Sequence, residues 1–183
     1  RKARLDLMCK KEGIMKKNKT TVFLVLFFFV GLSILLYPIV SNFYNKRFQS
    51  AAIVDYENIT KKYNKDEYAN MLLKADEYNN KLRKLKSPFY TYDTLKNYEK
   101  ILNIDGNGMM GYLTIEKIKV KLPIYHGTDE KILSKGVGHL KGTSLPVGGS
   151  KTHSVLSAHR GLPSSTLFTN LDKLEIGDTF VIN

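Results

Sequence analysis

The sequence predicts a mainly β domain, an incomplete barrel or sandwich, preceded by one transmembrane helix and N-terminal amphipathic helices. Three observations carry that expectation. An uncharged run covers Thr20 to Val40; apolar and aromatic residues then recur at helical spacing as far as Leu85; and after Met109 the period drops to two. A chain of 183 residues, 43% hydrophobic and 25% charged, has room for one domain with an accessory segment, and this composition excludes a wholly disordered protein.

The first element is the apolar run, in which Val22 to Val30 are continuously hydrophobic. Its length at about 1.5 Å per residue matches the roughly 30 Å hydrocarbon core of a bilayer. The Leu, Ile, Phe and Val residues in the run, at about −0.3 to −0.6 kcal/mol each, give on the order of −5 to −9 kcal/mol for insertion, more than Gly31 and Pro38 cost. A core helix is rarely apolar on every face for so long. A cleaved signal peptide would have a shorter apolar region and a small-x-small site, and Tyr37 to Tyr44 offers no Ala-x-Ala. An uncleaved signal anchor is expected. Arg1, Lys2, Arg4, Lys10, Lys11, Lys16, Lys17 and Lys19 precede the span, and only Lys46 and Arg47 follow closely, so the N-terminus is expected in the cytoplasm and the rest outside.

Much of the net charge of +12 belongs to that topology signal and to the membrane-proximal helices, and no basic cluster coincides with a nucleic-acid reading motif; no nucleic-acid partner is expected. Met15-Lys16-Lys17 would make a natural start, so residues 1–14 are expected to be upstream sequence. The single cysteine, Cys9, lies before the span; it forms no intramolecular disulfide and is read as incidental.

Two helices are expected between Asn42 and Leu85. Phe48, Ile53, Tyr56, Ile59 and Tyr63 mark the first, and Tyr68, Met71, Leu72, Ala75, Tyr78 and Leu82 the second. Asn64 with Glu67 three residues on has the form of a capping box at the restart. Ser87-Pro88-Phe89 ends the helical region, a short helix over about Leu95 to Asn103 follows, and Asp105-Gly106-Asn107-Gly108 marks a turn and boundary. Strands are expected at Tyr112 to Ile115, at Ile118 to Leu122 ending before Pro123, at Gly138 to Gly142, at His153 to Ala158 and at Thr179 to Asn183, with a one- to two-turn helix from Thr128 to Leu133. The expected segments are thus a basic cytoplasmic stretch (1–19), the anchor (20–41), membrane-proximal helices (42–85), a lid and short helix (86–105) and the front of a β-barrel (106–183). Because Asn183 falls inside a strand-like stretch, the sequence reads as the front portion of a longer protein.

Four histidines follow the span: His126, His139, His153 and His159. His153 and His159 share strand parity, but six residues at about 3.3 Å separate them by roughly 20 Å on a straight strand. No acidic or thiol ligand has a recognisable spacing to any of the four, so no metal or cofactor is expected. His159 stands where an apolar strand, Ser154 to Ala158, gives way to Arg160-Gly161-Leu162-Pro163, a place from which an imidazole can act as acid or base in a cleft.

Met110 to Ile115, Leu122 to Thr128, Gly136 to Gly149 and Thr152 to Pro163, with Leu167-Phe168-Thr169 and Gly177-Asp178, together resemble, in order, the signatures of class C, pilin-polymerising sortases. The resemblance implies a sortase-like β-barrel and a membrane-bound cysteine transpeptidase on the outer face of a Gram-positive cell. Such an enzyme cleaves an LPXTG-like sorting signal between Thr and Gly, and a lysine amine of the next pilin resolves the thioester. A thiolate nucleophile, an imidazolium beside it and an arginine on the oxyanion make that chemistry work. Of this set only His159 matches a position here. The family's cysteine and arginine are expected beyond Asn183, and Arg160 belongs to the histidine motif. The other three histidines match positions without a catalytic role. Ser87-Pro88-Phe89 occupies the place of the lid, an Asp-Pro-aromatic triplet in the family. With serine for aspartate a carboxylate interaction is lost, so lid closure is left open although Phe89 can still plug the groove. Two readings remain: a sortase-like enzyme acting on LPXTG-bearing pilins or surface proteins, with the 183 residues alone inactive, or a non-catalytic membrane-anchored β-domain that binds surface peptides.

Overall fold

Why one sheet forms, and which side chains it presents, follows from how each segment satisfies its backbone. A computed structural model describes residues 2–183, with side chains from Lys19 onward. Cys9 and the basic residues before Lys19 lie outside the described side chains. Two units are distinguished, Arg1–Val40 and Ser41–Asn183.

The first unit belongs to α1 (Lys2–Thr60). Its apolar stretch buries none of its most hydrophobic window, and Phe23, Phe27 and Phe28 are each more than 60% exposed. This helix is long and apolar enough to cross a membrane. Ser33 returns its hydroxyl to the Phe29 carbonyl at 2.8 Å, so even its one central polar side chain is satisfied within the helix.

In the second unit α1 continues without interruption to Thr60 and α2 spans Lys65–Arg83. The expected capping box is present: Asn64 Oδ1 accepts from the Asp66 and Glu67 amides, and Glu67 Oε2 accepts from the Asn64 amide at 2.9 Å. A single turn, α3 (Pro88–Thr91), starts with proline at its first position, where no amide is needed.

The helix expected over Leu95 to Asn103 does not form. Two 3₁₀ turns, Tyr92–Thr94 and Tyr98–Lys100, stand in its place, and Asn97 and Leu102 take left-handed conformations (φ 79° and 63°). The physical reason lies elsewhere in the chain: Tyr98 is drawn into the core to bond His139, and the flanking backbone bends to deliver it.

After Gly108 the strands follow: β1 (Met109–Ile115), β2 (Val120–His126), β3 (Val137–His139), β4 (Leu156–Ser157) and β5 (Val181–Ile182), with the single turn α4 (Glu130–Leu133) between β2 and β3. Asp129 caps α4 through the Ile132 amide. The sheet order is β4-β3-β2-β1-β5, antiparallel except for the parallel β2–β3 pair. It is a curled, mixed half-barrel.

β2 was expected to stop before Pro123, yet it runs through to His126. Tyr112, the partner of Pro123, exchanges both of its backbone hydrogen bonds with Asn183 on its other side. The Tyr112–Pro123 pair is therefore non-hydrogen-bonded on the β2 side, and the amide that proline lacks is not needed there.

The core joins the sheet to α2. Leu113, Ile115, Leu122, Ile124 and Val137 pack with Ala75, Tyr78 and Leu82, all below 9% exposure. Asn79 fixes the register of that packing, donating to the Leu145 carbonyl at 3.2 Å and accepting from the Leu145 amide at 2.7 Å.

Candidate active site

His159 follows the short strand β4 by two residues and is half-buried, its side chain 30% exposed. Its Nε2 lies 3.0 Å from Glu130 Oε1 on the first residue of α4, and its carbonyl accepts from the Phe168 amide at 3.1 Å. The next turn is tied down by the Gly161 amide on Thr169 Oγ1, and by Arg160 paired with Asp172 at 3.2 Å. A ring paired through one nitrogen and still partly exposed is suited to moving a proton.

The other histidines sit differently. His139 is fully buried between Tyr98 and the loop after β3. The Ser144 carbonyl, 2.8 Å from Nε2, can only accept, so Nε2 carries the proton. Nδ1 then accepts from the Tyr98 hydroxyl at 2.8 Å, and that oxygen in turn accepts from the Gly127 amide. Burial pushes the His139 imidazole down to about 4, so the ring is neutral. His126 is buried, with Nδ1 and Nε2 each 2.9 Å from a carbonyl, of Gly108 and Ile101. His153 is exposed and lies outside β4, which covers only Leu156–Ser157, so the straight strand that would carry both His153 and His159 is not formed. Among the described residues no three His, Cys, Asp or Glu side chains gather where they could hold a metal ion.

Pro88 and Phe89, of the segment Ser87-Pro88-Phe89, lie against the loop after β3. Gly142 is left-handed (φ 85°), and a Cβ there would come 3.1 Å from the Phe89 Cα and 3.2 Å from the Pro88 carbonyl. Glycine is thus required twice, for conformation and for the close approach of this segment. Phe89 stays 58% exposed and borders a cavity of about 810 Å³ whose walls include Tyr92, His126, Asp129 and Lys141. Lys141 Nζ is held 2.6 Å from Glu99, whose carboxylate raises its pKa, and lies over the Tyr98 ring. His159 is not in that lining, although its partner Glu130 stands between the lining residues Asp129 and Lys131.

Comparison with known proteins gives this geometry its context. A sortase domain model matches residues 113–183. The fold is similar to sortase C1 of Streptococcus agalactiae, with a TM-score of 0.63 and 42% identity over 73% of this chain and 69% of that one. The chain belongs to the sortase family, in class C. A lid mutant of the same Streptococcus agalactiae sortase matches with a TM-score of 0.58 at 40% identity, over 69% of this chain and 65% of that one. Sortase D of Bacillus subtilis (strain 168) is 44% identical over 68 residues, 37% of this chain and 31% of that protein, so the match spans less than a third of this curated relative.

Within this sortase the sequence missed two positioning contacts. Glu130 was read only as part of a helix start, and its pairing with His159 spans 29 positions. The Tyr98–His139 bond spans 41. Neither leaves a local pattern; the only hint is that His139 and His159 themselves fall inside family-like segments.

Proposed function

We propose that this chain is the anchored front of a class C sortase that acts as a cysteine transpeptidase on LPXTG-bearing pilins or surface proteins. The observation that carries the reading is the 42% identity and shared fold with sortase C1 across 73% of the chain. In the proposed reaction a thiolate attacks the threonine carbonyl of the sorting signal. The Thr–Gly amide bond breaks, and His159 gives its proton to the departing glycine amine. A lysine amine of the next pilin then attacks the thioester, returns a proton to His159 and frees the thiolate. Pilin subunits are joined in this way into a covalent pilus.

The only cysteine of the sequence, Cys9, precedes the apolar span. In our reading the nucleophile and the oxyanion-binding arginine come from a downstream segment, and residues 1–183 alone are inactive. α1 serves as a single-pass signal anchor with its N-terminus in the cytoplasm, which puts His159 on the outer side of a Gram-positive cell membrane. Ser87-Pro88-Phe89 is the lid, a role supported by its contact with Gly142 and its place at a cavity rim. With serine in place of aspartate, Phe89 is the side chain left to plug the groove.

The position of Cys9 also favours a second reading, a non-catalytic anchored domain that binds sorting-signal peptides. Reading the codons after Asn183 separates the two: an outer cysteine followed by an arginine-bearing strand supports the enzyme, and a product without an outer cysteine leaves only the binding module. In a product with that cysteine, His159→Ala abolishes thioester formation with an LPXTG peptide while the fold persists; retained activity removes His159 from this role.

A further inference from the structure

The stretch of α1 just beyond the apolar run has its two faces inverted for a helix in water. Its inward face is polar. Asn45 donates to the Ser164 carbonyl at 2.8 Å, Asn42 Oδ1 accepts from both the Thr166 amide and hydroxyl, and Gln49, only 4% exposed, donates to the Lys135 carbonyl and to Ser165 Oγ. Its outward face is aromatic: Phe43, Tyr44 and Phe48 are 63%, 70% and 55% exposed. A soluble domain gains by turning such residues inward, so the outward face is built for surroundings other than bulk water.

Chain connectivity says which surroundings. Phe43 follows Val40 by three helical residues, a rise of about 4.5 Å from the end of the apolar run. The interfacial layer of a bilayer is about 5–7 Å thick on each side, and aromatic rings concentrate there. Two cations share the stretch, Lys46 and Arg47, and the Arg47 guanidinium lies 5.9 Å over the Phe43 ring. A cation stacked on a ring presents an apolar body below a charged head, the arrangement that suits the boundary between acyl chains and phosphates.

We propose that Phe43, Tyr44, Lys46 and Arg47 form a seat at the membrane surface that binds anionic phospholipid headgroups. The seat fixes the height of the sortase domain above the bilayer, and it rests on the reading of α1 as a membrane span. The aromatic side chains enter the interfacial layer, while Lys46 and Arg47 hold the phosphates of anionic lipids.

The sequence contains no tryptophan, so single-tryptophan variants report position directly. The chain is reconstituted in phosphatidylcholine vesicles carrying brominated lipids, with Phe28→Trp inside the span, Tyr44→Trp in the seat and Tyr90→Trp at a site 90% exposed. The expected result is quenching of Phe28→Trp by deep bromines and of Tyr44→Trp by shallow ones, with Tyr90→Trp unquenched. With bromine only on a minor phosphatidylglycerol component, quenching of Tyr44→Trp should exceed that of a uniform mixture by at least about twofold, and Lys46→Ala with Arg47→Ala should remove the excess. If Phe28→Trp is quenched but Tyr44→Trp behaves like Tyr90→Trp, the seat is refuted while the span stands. Equal quenching by both lipids refutes the preference for anionic headgroups. Tyr44→Trp shielded from lipid in a protein-concentration-dependent way means that a second copy covers the face, which also overturns the proposal. An unquenched Phe28→Trp refutes the span and the seat with it.

Discussion

Lowering the pH should loosen this domain through one buried ring. His139 is fully buried, and burial holds its pKa at about 4, against an ordinary value near 6.5. The folded chain therefore keeps the ring neutral while the unfolded chain takes up a proton. The resulting stability is complete above pH 6.5 and is lost as the pH falls towards 4. At about 1.4 kcal/mol per pH unit the loss comes to about 3 kcal/mol at pH 4, a large part of a typical domain's stability. Glu57 and Asp178, whose carboxyls are held low by Lys121 and Lys117, lose their ion pairs in the same direction. The assay must separate them from His139. Urea unfolding in detergent micelles, followed by circular dichroism at pH 7 and pH 4, is compared with that of His139→Gln, which has a donor and an acceptor but does not titrate. The variant should be less stable at pH 7, yet lose about 3 kcal/mol less than the parent on acidification. An identical acid loss in both chains would refute the role assigned to His139.

Other contacts make equally definite demands. Asn79→Ala strands a buried amide and a buried carbonyl of Leu145 and should cost about 2–4 kcal/mol in the same unfolding assay; a loss under 1 kcal/mol would mean that the loop re-pairs. Gly138→Ala drives a Cβ into the Gly127 carbonyl, with Leu133 Cδ2 only 3.0 Å away, and should cost about 3 kcal/mol or more, or prevent folding. In a product that carries the downstream cysteine, Phe89→Ala should speed hydrolysis of a soluble LPXTG peptide several-fold, and Ser87→Asp should slow it. Rates unchanged in both would remove the lid assignment.

What the sequence disclosed and what it hid divide along sequence distance. The apolar run, the Asn64–Glu67 capping box and the switch to strands after Met109 are all set by residues within a few positions of one another, and all are present. The supposed helix over Leu95 to Asn103 failed because Tyr98 answers to His139 rather than to its neighbours. β2 outran its proline because hydrogen bonding on that side of the pair was already waived by the Tyr112–Asn183 exchange. Within the candidate site, His159 is singled out by its place after an apolar strand and by the family-like motif around it. Glu130, its partner across 29 positions, is not, since no spacing rule links a helix start to a distant loop.

The proposed reaction depends on His159 serving a thiol on the outer side of the membrane. The most direct measurement is mass spectrometry of the product translated through the codons that follow Asn183, incubated with an LPXTG peptide. The parent should form a thioester-linked adduct on an outer cysteine, and its well-folded His159→Ala variant should form none. An adduct that forms equally in the variant, or a product with no outer cysteine, would contradict the proposed reaction.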